Sequence, residues 1–160
     1  MSAVASKPIE VIYNNGVYLP EADLWLDPHS PKTVAFVSHA HADHVAPHAE
    51  SICSVTTKRI VEKRFGNRGE AVGYPFGERF ERDGYRFELI PAGHILGSAQ
   101  IWIERIADGD TLLYTGDFKL RSGVASEPTE SKPARTLIME TTYGLPKYRL
   151  PPTEAVMVNL

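Results

Sequence analysis

Apolar residues along this chain come in short runs separated by turn-forming pairs, a spacing that predicts strands more often than helices. Residues 10–13 and 16–19 flank Asn14-Asn15-Gly16, a hairpin signal, because Asn and Gly tolerate the positive φ of a tight turn. Leu24-Trp25-Leu26 makes a third strand that ends at Asp27-Pro28. Thr33-Val34-Ala35-Phe36-Val37 has no polar alternation, as expected of a strand covered on both faces. Residues 53–55 read as a short strand, followed by a basic helix from about Thr57 to Phe65 that stops at Gly66-Asn67. Two more hairpins follow. Residues 79–82 and 85–90 flank Asp83-Gly84, and residues 100–106 and 111–114 flank Asp108-Gly109-Asp110. Residues 135–139 form a last strand, ending at Glu140.

The pattern that recurs is a strand ending on a polar residue able to hold an ion. A sheet fixes the ends of its strands, which is what a metal geometry requires. The segment 122–133, rich in Ser, Glu and Pro, reads as loose. Near the C-terminus Thr153 looks like an N-cap with Glu154 in the first turn, and residues 155–160 begin an apolar helix that simply stops. The expected layout is therefore a core over residues 1–150 and, over 151–160, the start of a helix leading into a further region.

With 160 residues, 42% of them hydrophobic, the chain can bury one core, and disorder is excluded. A net charge of −3 removes the broad basic footprint of many nucleic-acid binders, so any such contact needs a local patch. That argument is weakened because several carboxylates would face cations. A single cysteine, Cys53, excludes an intrachain disulfide and a cysteine-rich zinc cage, leaving imidazole and carboxylate as ligands. No stretch approaches the roughly 20 apolar residues that span a bilayer, and no signal peptide is visible, so a cytoplasmic location and no membrane partner are expected.

The chemistry concentrates after the buried strand, in His39-Ala40-His41-Ala42-Asp43-His44. His39 and His41, two apart in an extended loop, point to one side and can share an ion, while Asp43 and His44 can reach a second. His94 follows about fifty residues later, with glycine on both sides of its turn, in Pro91-Ala92-Gly93-His94-Ile95-Leu96-Gly97-Ser98. Asp117, after Thr115-Gly116, supplies a carboxylate that could bridge two ions about 3.5–4 Å apart. Alone, His94 or Asp117 would be an ordinary turn residue; their order after the histidine cluster makes the case.

These residues resemble the metallo-β-lactamase superfamily and, within it, the β-CASP nucleases. Asp27 looks like the acidic residue at the end of an early strand, residues 39–44 like the signature loop, His94 like the third motif and Asp117 like the bridging aspartate. Met139-Glu140-Thr141-Thr142-Tyr143-Gly144 resembles the motif that opens the β-CASP region, whose acidic residue supports a catalytic histidine further along. More narrowly, residues 24–28, 91–98 and 140–146 look like bacterial ligase-associated exonucleases, also labelled RNA 3′-end processing factors.

The resemblance implies an α/β fold, the four-layer αβ/βα sandwich, here largely its N-terminal half. It implies cleavage of DNA or RNA phosphodiesters by a metal-activated hydroxide. Two divalent ions are implied, zinc first, with manganese or iron as alternatives. His39, His41 and His94 would hold one ion, Asp43 and His44 the other, with Asp117 between them. Asp43 would also orient the hydroxide, and Asp27 and Glu140 would brace the ligands. A DNA ligase or helicase would be a functional partner. Such enzymes return with two further histidines, whereas the last histidine here is His94; full activity is therefore expected to need a downstream half.

Lys119 and Arg121, just past Asp117, and Ser98 are candidates for contact with substrate phosphate. Lys58, Arg59, Lys63, Arg64 and Arg68 read first as a solvated helix face and second as a phosphate-binding strip. His29 and His48 read as surface or supporting groups, Cys53 as a small core residue, and Trp25, Trp102 and Tyr114 as core. Two other functions fit the motifs less well: a small-molecule hydrolase of the glyoxalase-II or lactonase kind, and a non-catalytic metal-binding fragment of a split nuclease.

Overall fold

A computed structural model describes residues 7–121 and 123–158, the side chains of Thr153 and Glu154 excepted. Two sheets face each other. The first has six strands in sequence order: β1 (Ile12–Tyr13), β2 (Val17–Leu19), β3 (Leu24–Leu26), β4 (Val34–Phe36), β5 (Glu50–Ser54) and β6 (Glu70–Tyr74). Its first two pairings are antiparallel, and from β3 onward it is parallel. The second runs β11-β10-β9-β8-β7, built from β7 (Arg79–Arg82), β8 (Tyr85–Pro91), β9 (Ala99–Arg105), β10 (Asp110–Tyr114) and β11 (Thr136–Ile138). Only β10 and β11 are parallel there.

Alternate positions of both sheets meet in one core. Leu24, Leu26, Phe36 and Ile52 from the first sheet pack with Phe87, Leu89, Ile101, Ile103 and Leu112 from the second. The outer face of the first sheet is covered by α1 (Val55–Phe65), with Val37, Ala40, Val45, Cys53 and Val61 between them. Helix, sheet and sheet are thus three layers of the expected sandwich. Over the outer face of the second sheet, around Ile90, Trp102 and Leu113, lies an extended segment that includes Ala134.

That segment corrects the reading of a loose linker. Gln100 Nε2 donates to the carbonyls of Pro91 and Glu130, at 3.0 and 2.7 Å, and Trp102 Nε1 donates to that of Pro133 at 3.0 Å. Its polar side chains add to the hold: Ser126 Oγ donates to the Gly93 carbonyl at 3.0 Å and Glu127 Oε2 accepts from Gly97 N at 2.9 Å.

Other differences are local. A 3₁₀ turn, Pro20–Ala22, separates β2 from β3. β5 starts at Glu50, earlier than expected, and Val55 belongs to α1, because Ser54 is the N-cap and accepts from Thr57 N at 3.0 Å. β6 was not legible at all. Trp25 lies half-buried on the outer face, 4.5 Å from the Tyr18 ring centroid and under Lys32 Nζ at 3.8 Å. The helical stretch near the C-terminus is Thr153–Met157; the N-cap reading of Thr153 and Glu154, and the continuation to residue 160, lie outside the described residues.

Candidate metal centre

Strand direction places the site. β3 and β4 are parallel in one sheet, while β8, β10 and β11 share a direction in the other. Asp27, His39, His94, Asp117 and Glu140 follow the C-terminal ends of these five strands, the usual place for a site in an α/β architecture.

Turn chemistry aims the side chains. Gly116 has φ +52°, and a Cβ there would stand 2.6 Å from Ser38 Cβ. Only glycine lets β10 turn against the start of the histidine loop. The His94 loop closes on Ser98, whose Oγ accepts from His94 N at 3.0 Å and Ile95 N at 3.2 Å.

Four ligand atoms, one each from His39, His41, His94 and Asp117, lie within 4.8 Å of one another. His39 Nε2 is 2.8 Å from His41 Nδ1, which is 3.3 Å from His94 Nε2. Asp117 Oδ2 stands 4.0 Å from His39 Nε2 and 3.7 Å from His94 Nε2. A second group adjoins the first through the same carboxylate: His44 Nε2 is 3.9 Å from Asp117 Oδ1 and 3.7 Å from Asp43 Oδ2. The structure therefore brings together the residues expected around each ion and sets Asp117 between the two groups.

Protonation favours ligation. Burial, with the neighbouring imidazoles, lowers the His39 pKa to about 3, and burial lowers that of His94 as well. Both stay neutral, the form that binds metal. His39 turns Nε2 to the site and sets Nδ1 2.9 Å from Ser38 Oγ, so ligation through Nε2 would leave the ring proton on Nδ1, facing that hydroxyl. Asp117 is raised by burial and by Glu140 and Asp27, a carboxylate in need of positive charge. The neutral imidazoles of His39 and His94, with His41 and the crowded Asp117 carboxylate converging on one point, fit divalent metal binding.

The expected supporting residues are in reach. Asp27, 5% exposed, accepts from Ser38 N through Oδ1 at 2.8 Å, and its Oδ2 lies 3.3 Å from His44 Nδ1. Burial alone would raise Asp27 and lower His44; their mutual attraction outweighs it, so Asp27 is lowered and His44 raised. Glu140 Oε1 accepts from Phe118 N at 3.1 Å, bracing the chain one residue past Asp117.

Two expectations change and one narrows. Ser98 is fully buried and holds the His94 loop, so it faces no substrate. Of the two readings of His48, surface or supporting group, the buried position fits the second: its Nδ1 accepts from Lys32 N at 3.2 Å. Tyr114 is more than core, since its hydroxyl donates to Asp27 Oδ2 at 3.1 Å; a tyrosine among the inward apolar positions at a strand end was the available signal. Lys119 and Arg121 are exposed beyond Asp117, and His29 is exposed with Nδ1 3.1 Å from the Asp43 carbonyl.

No family model matches the chain. A protein named Probable DNA ligase from Opitutus terrae is 45% identical over 155 residues, 96% of this chain and 15% of that protein. The DNA cross-link repair protein SNM1 of Arabidopsis thaliana is 29% identical over 130 residues, 76% of this chain and 27% of that one. An RNase J-like protein of Methanocaldococcus jannaschii is 40% identical over 81 residues, 48% of this chain and 18% of that one. With the motif order, the two-sheet fold and the ligand geometry, these relatives decide the family. The chain belongs to the metallo-β-lactamase superfamily. YhfI of Bacillus subtilis, described as a metallo-β-lactamase fold protein, aligns over 71% of this chain and 56% of its own, at 12% identity and a TM-score of 0.45. The superfamily chain described here spans between 15% and 27% of the length of those three curated relatives. Among its described residues no helix is long and apolar enough to cross a membrane.

Proposed function

We propose that this chain carries the metal centre of a β-CASP nuclease that hydrolyses phosphodiester bonds in DNA or RNA. The observation that carries the proposal is the convergence of His39, His41, His94 and Asp117, with His44 and Asp43 sharing Asp117 on its other side. Two divalent ions, zinc first, would supply Lewis-acid polarisation of a phosphoryl oxygen and a water acidified towards a pKa of ~7.

The chain's own residues do the rest. Ser38 Oγ holds the Nδ1 proton of His39, and Asp27 faces that of His44, so each ring offers Nε2 to the site. Asp43, exposed beside His44, orients the attacking water. Glu140 holds the backbone after Asp117. Lys119 and Arg121, exposed two and four residues past Asp117, would contact the phosphate of a substrate.

The relatives named for DNA cross-link repair and as RNase J-like support a nucleic-acid substrate. The match inside a Probable DNA ligase supports a ligase as the functional partner over a helicase. Asp43, His44 and Asp117 form a three-ligand second site with no later histidine, so activity rises when downstream residues of a longer relative are supplied.

The test is cleavage of end-labelled single- and double-stranded DNA and RNA by the zinc- or manganese-loaded chain, with and without that complement. We expect weak cleavage alone, strong cleavage with the complement, and none with a chelator. Cleavage that survives chelation, or preferential hydrolysis of thioesters or lactones, would refute the nuclease reading; robust cleavage by the chain alone would refute the need for a complement.

A further inference from the structure

The helix α1 contributes no ligand, yet it touches both loops that carry the histidines of the first ion. At its N-terminus, Ser54 Oγ and Thr57 Oγ1 both donate to the carbonyl of Gly97, at 2.6 and 2.9 Å. Gly97 lies three residues past His94, in the turn closed by Ser98. The approach there is tight, since a Cβ on Gly97, at φ +79°, would stand 2.7 Å from Thr56 Cβ.

At the other end of the helix, roughly 15 Å away at 1.5 Å per residue, Arg64 Nη1 donates to the Ala40 carbonyl at 2.8 Å. Ala40 stands between His39 and His41, and its methyl is fully buried against a cluster that includes Val61 of the same helix. Val61 and Arg64 are three apart and share a helix face, one gripping the side chain of Ala40 and the other its backbone. A charged donor on a carbonyl makes one of the stronger hydrogen bonds. Arg64 thereby pins the peptide whose rotation would swing His39 Nε2 and His41 Nδ1 apart.

We propose that α1 is a clamp for the metal centre and that Arg64 is its positioning residue for the pair His39 and His41. The inference rests on the metal-binding reading above. In it, Arg64 touches neither ion nor substrate and acts only through the loop backbone. The basic run on α1 then has a division of labour: Arg64 serves the site, while Lys63 beside it is solvated.

The test measures zinc affinity by competition with a chromophoric chelator, the visible spectrum of bound cobalt, and the thermal midpoint of the metal-free protein. It compares the parent chain with Arg64→Ala, Arg64→Lys, Lys63→Ala and Thr57→Val. Arg64→Ala should weaken the tight zinc about tenfold, the lower end of the range for residues that orient ligands. It should also change the cobalt spectrum, because the nitrogen geometry shifts. Arg64→Lys should recover part of the loss, since an ammonium can reach the same carbonyl, and Lys63→Ala should match the parent. Thr57→Val, which leaves Ser54 on Gly97, should show a smaller loss and carries the test if Arg64→Ala does not fold. Zinc affinity within about twofold of the parent in a folded Arg64→Ala would overturn the proposal, as would an equal loss in Lys63→Ala; if Arg64→Ala does not fold, affinity that close to the parent in Thr57→Val would overturn it. A parent chain that binds no zinc would overturn the metal reading along with it.

Discussion

Tyr114 and Asp27 are joined by a 3.1 Å hydrogen bond that links the end of a strand in one sheet to the end of a strand in the other. Asp27 receives a second donor, Ser38 N, and faces His44 Nδ1. Burial and the Asp27 charge push the Tyr114 phenol far up, so it donates at any working pH. Tyr114→Phe should leave Asp27 Oδ2 short of one donor and less firmly held against His44. We expect a stability loss of about 1 kcal/mol in urea denaturation and a weaker second zinc event, with the tight event unchanged. An unchanged second event would remove Tyr114 from the site.

Gly116→Ala should damage the fold and the site together. The residue sits at φ +52°, and its new methyl would meet the Ser38 side chain, which supports His39. A cost of roughly 1–3 kcal/mol, read as a lower urea midpoint, is expected together with lower zinc content. A variant as stable as the parent would show that this turn is not strained.

Asp117→Asn keeps the volume and removes the charge shared by the two groups. In the complemented assembly, hydrolysis should fall at least ~10²-fold, the scale of losing one preorganised electrostatic element, while the urea midpoint changes little. Turnover near that of the parent would rule out a bridging role.

His48 makes the metal-free fold acid-sensitive. Burial, its main influence, lowers the His48 pKa below the ordinary 6.5, helped by Lys32 and opposed by Asp27. In the pH range just below 6.5 the unfolded chain therefore binds a proton that the folded chain refuses. The His48 contribution is fully present above 6.5 and is lost as the pH falls below it. The thermal midpoint of the metal-free parent should drop between pH 8 and pH 5.5, and the drop should be smaller in His48→Gln. Equal drops would place the acid sensitivity elsewhere.

The clustering of the candidate ligands was more legible than the exact bounds of the strands around them. His39, His41, Asp43 and His44 crowd six positions after an unbroken apolar run, a pattern that ordinary surface loops seldom produce, and strand ends carry the rest. β6 escaped because Gly73 breaks its β-rich character and its edge position leaves no fully buried residue to set an alternation. Val55 misled because a β-branched residue after a strand reads as more strand, whereas the Ser54 cap decides the boundary. The supporting contacts of Tyr114, Ser98 and Arg64 depend on which strands and loops become neighbours. That is a property of topology, and no local spacing encodes it.

In the proposed function His39, His41 and His94 hold one ion together, beside a second group of ligands that shares Asp117. Zinc titration of the metal-free chain, repeated on His39→Ala, His41→Ala and His94→Ala, tests it most directly. One tight and one weak event are expected in the parent, with loss of the tight event in each variant. A parent that binds no zinc, or a tight event that survives in two of the three variants, would contradict it.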